Sequence, residues 1–337
     1  MGAIEGAGSA ARKAWLLPAT KRCARVAAVL LALGLVGALV RLLPLALVPG
    51  ISLAAIAPFA RSIAWLAAEV CLLIALPLGV SLTIRDATER GELRALLALG
   101  VSPKDALRGL SILCALWGIV LGTVSWLGAR DAEAPGRVIN QQVEQARDAC
   151  TEKSSAARGP APAPEAVPFL TASWLCPPGT APLLTGRAPV GGVLFSATRA
   201  QFSGDLREFT VADATFQKGS VRMHVGEATF RGLPVFVRAS PVNPLVRALS
   251  VMAATLACVM ALVFRMGQAS ARPLIAIAMG AVGPLSALLV LRGIERITER
   301  MPAMAFAAVP AAAFLVSLLA GELAFRLRAR KGPDIPT

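Results

Sequence analysis

Six apolar runs dominate this sequence, and they flank one long polar block at residues 129–243. A run of about 20 mostly apolar residues is long enough to cross the hydrocarbon core of a bilayer. The runs are Val26–Val48, Ser62–Ile84, Ala106–Gly128, Pro244–Phe264, Arg272–Leu291 and Pro302–Phe325. The sequence therefore predicts an α-helical membrane protein with six transmembrane helices. They are arranged 3+3, in halves 1–128 and 244–337, around the inserted domain 129–243. The first run is longer than the apolar core of a signal peptide, so we expect it to be retained.

Basic residues set the expected orientation of these helices. They cluster in the N-terminal segment, in the loop after the second run, around Arg265 and Arg272, and in the C-terminal tail. By the positive-inside rule these four segments face the cytoplasm, which places both termini inside and residues 129–243 outside. The net charge of +14 then comes mostly from membrane-flanking segments. No basic stripe interleaved with aromatic residues is present, so we expect no nucleic-acid partner.

Cysteine and motif content argue against metal and enzyme chemistry. Of the six cysteines, only Cys150 and Cys176 lie in the external block, and an oxidising compartment would permit a disulfide between them. Two free thiols fit the sequence equally well, because pairing cannot be read from spacing. No CxxC motif, Cys/His cluster, phosphate-binding loop or catalytic-serine motif occurs, and His224 is the single histidine. We expect no cofactor, and any ATP hydrolysis must come from another chain.

The external block divides into a helical part and a β part. Residues 140–148 are predicted to continue as a helix from the third run, before the Pro/Ala-rich segment 159–168. From about Phe169 apolar and polar residues alternate, as in half-buried strands. A 14-residue repeat places Ala and Phe at 200/202, 214/216 and 228/230, and we expect each pair on one inward face. The prediction is a small all-β domain, either a sandwich, a jellyroll or an open barrel, that holds a lipid chain or docks a partner.

The loop after the second run predicts an amphipathic helix at residues 86–100. Leucines recur on one side at near-helical spacing, while Glu89, Glu92 and Arg94 stay polar. Gly100 suits the position that ends such a helix. The helix either merely connects two spans or inserts into a groove of a cytoplasmic ATPase and transmits its movement.

This loop resembles the cytoplasmic motif of the LptF/LptG permease family. The family pattern, roughly Glu-Leu-x-Ala-x-Arg-x-x-Gly-x-Ser, is similar to the run from Glu92 to Ser102. Leu97 stands where the pattern has a basic residue, and Arg94 lies one helical turn earlier. The six-span layout with an external jellyroll is also similar to that family.

The resemblance implies a permease subunit in the bacterial inner membrane that extracts lipopolysaccharide or a related glycolipid. Its partners would be a cytoplasmic LptB-like ABC ATPase, a second permease or a second copy, and periplasmic LptC/LptA-like jellyroll bridges. Residues 129–243 would then be periplasmic, and the first and fifth spans would form a lateral gate. The residues that the resemblance implies would couple to the ATPase are Glu89, Glu92, Leu93, Arg94, Leu96 and Gly100.

Charged residues within and beside the spans are the candidates for contact with lipid phosphates. Arg41 lies inside the first span, where it either meets an anionic lipid or extends to the interface. An outer basic rim of Arg61, Arg292, Arg296 and Arg300 would bind phosphates or simply anchor the spans. Glu69, in the second span, is expected to pair with a basic residue of a neighbouring span.

Two other functional classes fit parts of the sequence. A non-transporting scaffold or sensor would use the β domain as a ligand or docking module. A secondary transporter would need charged sites at mid-membrane and an internal repeat, and no clear repeat relates the two halves. Only an ATPase-driven permease requires the cytoplasmic amphipathic helix, so that helix distinguishes the three.

Overall fold

The computed structural model describes residues 2–46, 53–98, 103–154, 172–176, 181–187, 193–231, 243–266, 272–297 and 303–330. The chain divides into two compact units. The first comprises Met1–Leu35, Trp65–Leu127 and Ser240–Thr337, and the second Val36–Ala64 and Gly128–Ala239. The helices are α1 Gly2–Ala46, α2 Leu53–Glu89, α3 Glu92–Ala98, α4 Pro103–Asp131, α5 Ala134–Ser154, α6 Pro244–Phe264, α7 Pro273–Ile297 and α8 Ala308–Arg330.

Six helices within the described residues are long and apolar enough to cross a membrane. They cover Leu16–Leu43, Ile56–Glu89, Arg108–Cys150, Pro244–Phe264, Pro273–Glu295 and Ala305–Arg326, where Arg108–Cys150 takes in most of both α4 and α5. Each predicted run falls on one of them, which confirms a multi-pass membrane protein. The helices extend beyond the apolar runs because a helix need not end where its apolar stretch meets polar surroundings. Thus α1 begins well before Val26, and α2 continues past Ile84.

The first unit buries two apolar clusters between its helices. One contains Cys23, Leu76, Val80, Leu110 and Val259 and reaches Leu93 of α3. The other contains Leu73, Leu121, Val251 and Leu291, together with Phe306. Close packing between α1 and α2 depends on Gly79, since a Cβ there would lie 2.5 Å from the sulfur of Cys23. Side chains from four or more helices thus meet in each cluster and hold the spans together.

The predicted continuous helix at residues 86–100 is wrong. Residues 86–89 are the last turn of α2, and α3 is a separate helix of seven residues. Gly91 adopts a φ of +75°, a left-handed conformation that favours glycine and ends helices. The backbone N–H groups of Arg90 and Gly91 donate to the carbonyls of Asp86 and Thr88, which closes the end of α2. Gly100, the predicted end of the helix, lies outside the described residues.

The second unit contains one antiparallel sheet of six described strands. These are β1 Ala172–Leu175, β2 Leu183–Arg187, β3 Leu194–Ala197, β4 Arg199–Phe202, β5 Glu208–Lys218 and β6 Val221–Arg231. Strand β1 pairs with β2, β2 with β3, and β5 pairs with β3 and β4 on one side and β6 on the other. An all-β region following the helical part is therefore confirmed, whereas its closure into a jellyroll stays a prediction.

The buried face of the sheet carries a chain of phenylalanine rings. Phe202 contacts Phe209 at 4.7 Å between ring centroids, Phe209 contacts Phe230 at 6.0 Å, and Phe230 contacts Phe216 at 5.7 Å. The three repeat phenylalanines therefore share one face. Residues 209 and 216 are an odd number apart, so a regular strand would place them on opposite faces.

A shift in the strand pattern brings Phe216 back to the buried face. Along β5 Phe209 and Val211 are buried, and burial resumes at Ala214 rather than at Asp213. Asp213 has a φ of +49°, and the hydroxyl of the facing Thr198 donates to its carboxylate at 3.2 Å. Thr198 lies between β3 and β4, opposite the same point of β5. The alternation of buried and exposed residues therefore shifts along β3–β4 at the level where it shifts along β5.

Helix α5 is fastened to this sheet in three ways. The Asn140 amide donates to the Phe202 carbonyl at 2.7 Å and accepts from the Phe202 N–H at 2.8 Å. The Gly136 N–H donates to the Gly204 carbonyl at 2.9 Å, and a Cβ at Gly136 would lie 2.4 Å from that oxygen. A disulfide joins Cys150 to Cys176, with Cα atoms 5.5 Å apart. Residues 140–148 are helical, as predicted, but they do not continue the helix of the third span, because α4 ends at Asp131 and α5 begins at Ala134 in the sheet's unit.

Candidate functional site

Two groups of residues in the first unit combine charge, position and contacts in a way that packing alone does not require. One is the junction between α2 and α3, which contains most of the residues predicted to couple to an ATPase. The other is a set of buried ion pairs that joins α2, α4, α6 and α7.

At the α2–α3 junction, salt bridges fix the end of α2. Arg22 of α1 forms an ion pair with Asp86, and Arg85 contacts Asp86 at 3.3 Å and Glu89 at 2.9 Å. Glu89 therefore lies within α2 and pairs with a residue of its own helix. Since Asp86 accepts from α1 and from Arg85, these pairs connect α1 directly to the turn that precedes α3.

Helix α3 is anchored by one side and exposed on the other. Leu93 is only 3% exposed and packs in the cluster that contains Cys23 of α1. Glu92 and Arg94 are exposed, and the Glu92 carboxylate lies 3.7 Å from the Arg90 guanidinium. Leu96 belongs to α3, but its side chain lies outside the described residues. The junction thus presents charged side chains on a short element whose apolar side is held by the helix bundle.

The structure describes the side chains of three of the residues predicted to contact lipid phosphates. Arg41 is exposed on α1. Arg61 is bound to Asp131, with its Nε 2.8 Å from one carboxylate oxygen and its Nη2 3.1 Å from the other. Arg292 of α7 pairs with Glu295 at 2.8 Å. Arg296 lies in α7, but its side chain is outside the described residues. The whole of Arg300 is outside the described residues. Two arginines of the outer basic rim, Arg61 and Arg292, therefore form ion pairs with carboxylates.

The buried ion pairs centre on Arg247, in the first turn of α6. Its Nη2 donates to Glu69 of α2 at 2.8 Å and its Nη1 also contacts Glu69, so that this pair is bidentate. Its Nε donates to Glu295 of α7 at 2.8 Å. Ser125 of α4 accepts from Arg247 at 2.9 Å and donates to Glu69 at 2.7 Å. The expectation that Glu69 pairs with a basic residue of another span is confirmed.

The charges of this network balance only when Arg292 is included. Glu69, Arg247 and Glu295 are each 5% exposed or less, and together they carry one net negative charge. Arg292 contacts the second oxygen of Glu295 and supplies the missing positive charge. A buried net charge is costly in a medium of low dielectric constant, so Arg292 is part of the network and not merely an interfacial anchor. We call Glu69, Ser125, Arg247, Glu295 and Arg292 the ion-pair network.

Sequence reasoning missed Arg247 as a functional candidate. The available signal was an arginine three residues into an apolar run, together with Glu69 in another run. Charged residues in spans generally face a partner, so two charges of opposite sign form a natural pair. Glu295 lies beyond the end of the predicted run Arg272–Leu291, which concealed the third member. Among the described residues no group of His, Cys, Asp or Glu is arranged to hold a metal ion.

The chain matches no protein-family model and no curated protein. The likeness to the LptF/LptG permeases therefore stays a hypothesis that rests on the motif near Glu92 and the order of the apolar runs.

Proposed function

We propose that this chain is a permease subunit of an ABC-type transporter that moves lipopolysaccharide or a related glycolipid out of the inner membrane. A separate cytoplasmic ATPase supplies the energy, and a periplasmic β-jellyroll bridge receives the lipid. In this proposal the six spans form two halves of three, both termini are cytoplasmic, and the sheet belongs to a periplasmic jellyroll domain.

The observation that supports this proposal best is the construction of the α2–α3 junction. A partner that pushes a helix must meet exposed side chains on an element that is itself tied to the transmembrane bundle. Helix α3 offers Glu92 and Arg94 to such a partner, while Leu93 is buried among side chains of the spans. A helix that only connects two spans needs no such anchoring.

The same contacts offer a route from α3 to the first span. Leu93 shares an apolar cluster with Ala19 and Cys23 of α1, and Asp86 binds Arg22 of α1. Movement of α3 against the bundle would therefore act on α1 through an apolar contact and an ion pair. In the family that the motif resembles, the first span belongs to the lateral gate, so this route would connect ATPase closure to gate movement.

The disulfide supports an external position for the β domain. Disulfides persist in oxidising compartments such as the periplasm and are rare in the cytoplasm. Cys150 and Cys176 are bonded, whereas the four cysteines in or beside the spans are free. This distribution agrees with the orientation predicted from the basic residues.

The proposal is tested by affinity purification of the tagged full chain in mild detergent, with mass spectrometry of co-purifying proteins and lipids. The wild type is compared with Glu92→Arg, which reverses an exposed charge on α3. Glu227→Arg is the matched control, because it reverses an exposed charge on β6, far along the chain from α3.

We expect an ABC-type ATPase to accompany the wild type and Glu227→Arg and to be lost from Glu92→Arg. A glycolipid that accompanies the wild type would identify the cargo. Absence of any ATPase from the wild type, even after mild cross-linking, would contradict the permease function and favour a scaffold or sensor.

A further inference from the structure

The ion-pair network has one end that a ligand can reach. The side chains of Arg247, Glu69 and Glu295 are 6%, 4% and 1% exposed, whereas that of Arg292 is 31% exposed. Arg292 lies three residues from the end of its span, about 4.5 Å along the helix at 1.5 Å per residue. We expect a residue this close to the end of a span to lie near the lipid head groups.

The buried part of the network connects helices from both ends of the chain. Arg247 of α6 binds Glu69 of α2 and Ser125 of α4, and through Glu295 it also binds α7. One helical turn away on each of these four helices lies a member of the second apolar cluster: Leu73, Leu121, Val251 and Leu291. The network and the cluster are therefore successive layers of one interface, and a change in the ion pairs acts on the packing beneath them.

Any anion that binds Arg292 competes with Glu295 for the same guanidinium. Guanidinium groups bind phosphate strongly through two parallel hydrogen bonds. Once Arg292 turns to a phosphate, Glu69, Arg247 and Glu295 keep one uncompensated negative charge, with a further anion close by. In surroundings of low dielectric constant this charge weakens the contacts by which the network joins α2, α4, α6 and α7.

We propose that Arg292 is the lipid-sensing end of the ion-pair network, so that a phosphate-bearing lipid head group bound there loosens the contact of α2 and α4 with α6 and α7. The ligand class rests on the proposed function, in which the cargo is a phosphorylated glycolipid. The linkage itself rests on the geometry of the network. Binding at the rim and separation of the helices then favour each other, as coupled equilibria must.

Cys258 is a natural reporter of this interface. It belongs to the second apolar cluster, is 1% exposed and carries a free thiol. Alkylation by the membrane-permeant N-ethylmaleimide therefore requires that the cluster opens, and its rate measures how often this happens. Cys71 is the internal control, because it is 7% exposed and its free thiol donates to the Leu30 carbonyl of α1, a contact that the proposal leaves closed.

The experiment uses the purified full chain in vesicles of phosphatidylcholine, with or without phosphatidic acid, and peptide mass spectrometry to follow each cysteine. We expect phosphatidic acid to accelerate alkylation of Cys258 about fivefold or more in the wild type, a typical size for coupling between sites. Cys71 should keep its rate. In Arg292→Gln the Cys258 rate should no longer depend on phosphatidic acid.

Two further variants separate sensing from general damage. Arg292→Lys retains the positive charge and should retain a reduced response to phosphatidic acid. Arg326→Gln removes an arginine of α8 that is also paired with a glutamate, outside the network, and should respond like the wild type. An equal Cys258 rate in both kinds of wild-type vesicle, or an undiminished response in Arg292→Gln, would overturn the proposal. The vesicles contain no ATPase. The alkylation result therefore tests the ion-pair network even if the co-purification experiment contradicts the permease function.

Discussion

Replacement of Arg247 by methionine tests how much the ion-pair network stabilises the membrane bundle. Arg247 makes its hydrogen bonds to two carboxylates and one hydroxyl, all buried. Methionine has similar length and removes the charge, so it leaves Glu69 without a cation and Glu295 with Arg292 as its only cation in the network. We therefore expect a large loss in the free energy of unfolding, caused by unpaired buried charge and not by a cavity.

The size of this loss can be bounded from the contacts. Hydrogen bonds to charged groups contribute about 1.5–3 kcal/mol each, so the three bonds to carboxylates give an upper limit of about 5–9 kcal/mol. Carboxylates left behind can take up a proton or rearrange, and removal of one partner of a buried pair usually costs about 3–5 kcal/mol. We expect the lower range. Glu69→Gln added to Arg247→Met should recover part of the loss, because it removes one of the stranded charges.

The assay is unfolding by sodium dodecyl sulfate in mixed micelles, with Arg326→Met as the matched control. Arg326 also pairs with a glutamate at 3.0 Å, but its side chain is 74% exposed, and exposed pairs contribute about 0–1 kcal/mol. Equal stability of the Arg247→Met and Arg326→Met variants would refute the view that the network holds the helices together.

Two more predictions concern the second unit. Gly136→Ala should lower the unfolding free energy of the α5–sheet unit by about 1–3 kcal/mol, because the added Cβ collides with backbone carbonyls of the turn after β4. The variant should therefore be cleaved faster than the wild type in limited proteolysis. Gly226→Ala meets no atom within 4 Å and should leave the cleavage rate unchanged, so an equal increase in both variants would contradict the close approach of α5. Maleimide should label four thiols in the denatured, unreduced protein and six after reduction, and six labels without reduction would exclude the bond between Cys150 and Cys176.

The membrane-spanning helices could be predicted from sequence because run length alone determines whether a helix can cross a bilayer. Partnerships between spans could not, since Arg247 and Glu69 are 178 residues apart and nothing local connects them. Helix 86–100 was mispredicted because the leucine spacing lies entirely after Gly91, where the left-handed backbone separates the end of α2 from α3. For the candidate site, the motif indicated Glu92 and Leu93, but the anchoring of Leu93 among the spans required the packed structure.

The repeat predicted that Ala and Phe of each unit share an inward face, and it did not predict which other rings join them. Equal spacing of 14 residues is compatible with one face, but Phe209 also joins the cluster and breaks strict alternation with Phe216. A positive φ at an aspartate leaves little trace in sequence, so the phase shift could not be foreseen.

That phase shift gives the sheet a crease, a line across neighbouring strands at which inward and outward sides exchange. Asp213 and Thr198 form the line by their backbone conformation and a hydrogen bond, and Gly226 of β6 lies opposite Asp213. Exposed positions usually accept substitution freely, yet Asp213 determines which residues of β5 face the core. Sequence variation should therefore be low at this exposed residue, and insertions in β5 should survive only when the neighbouring strands change at the same level.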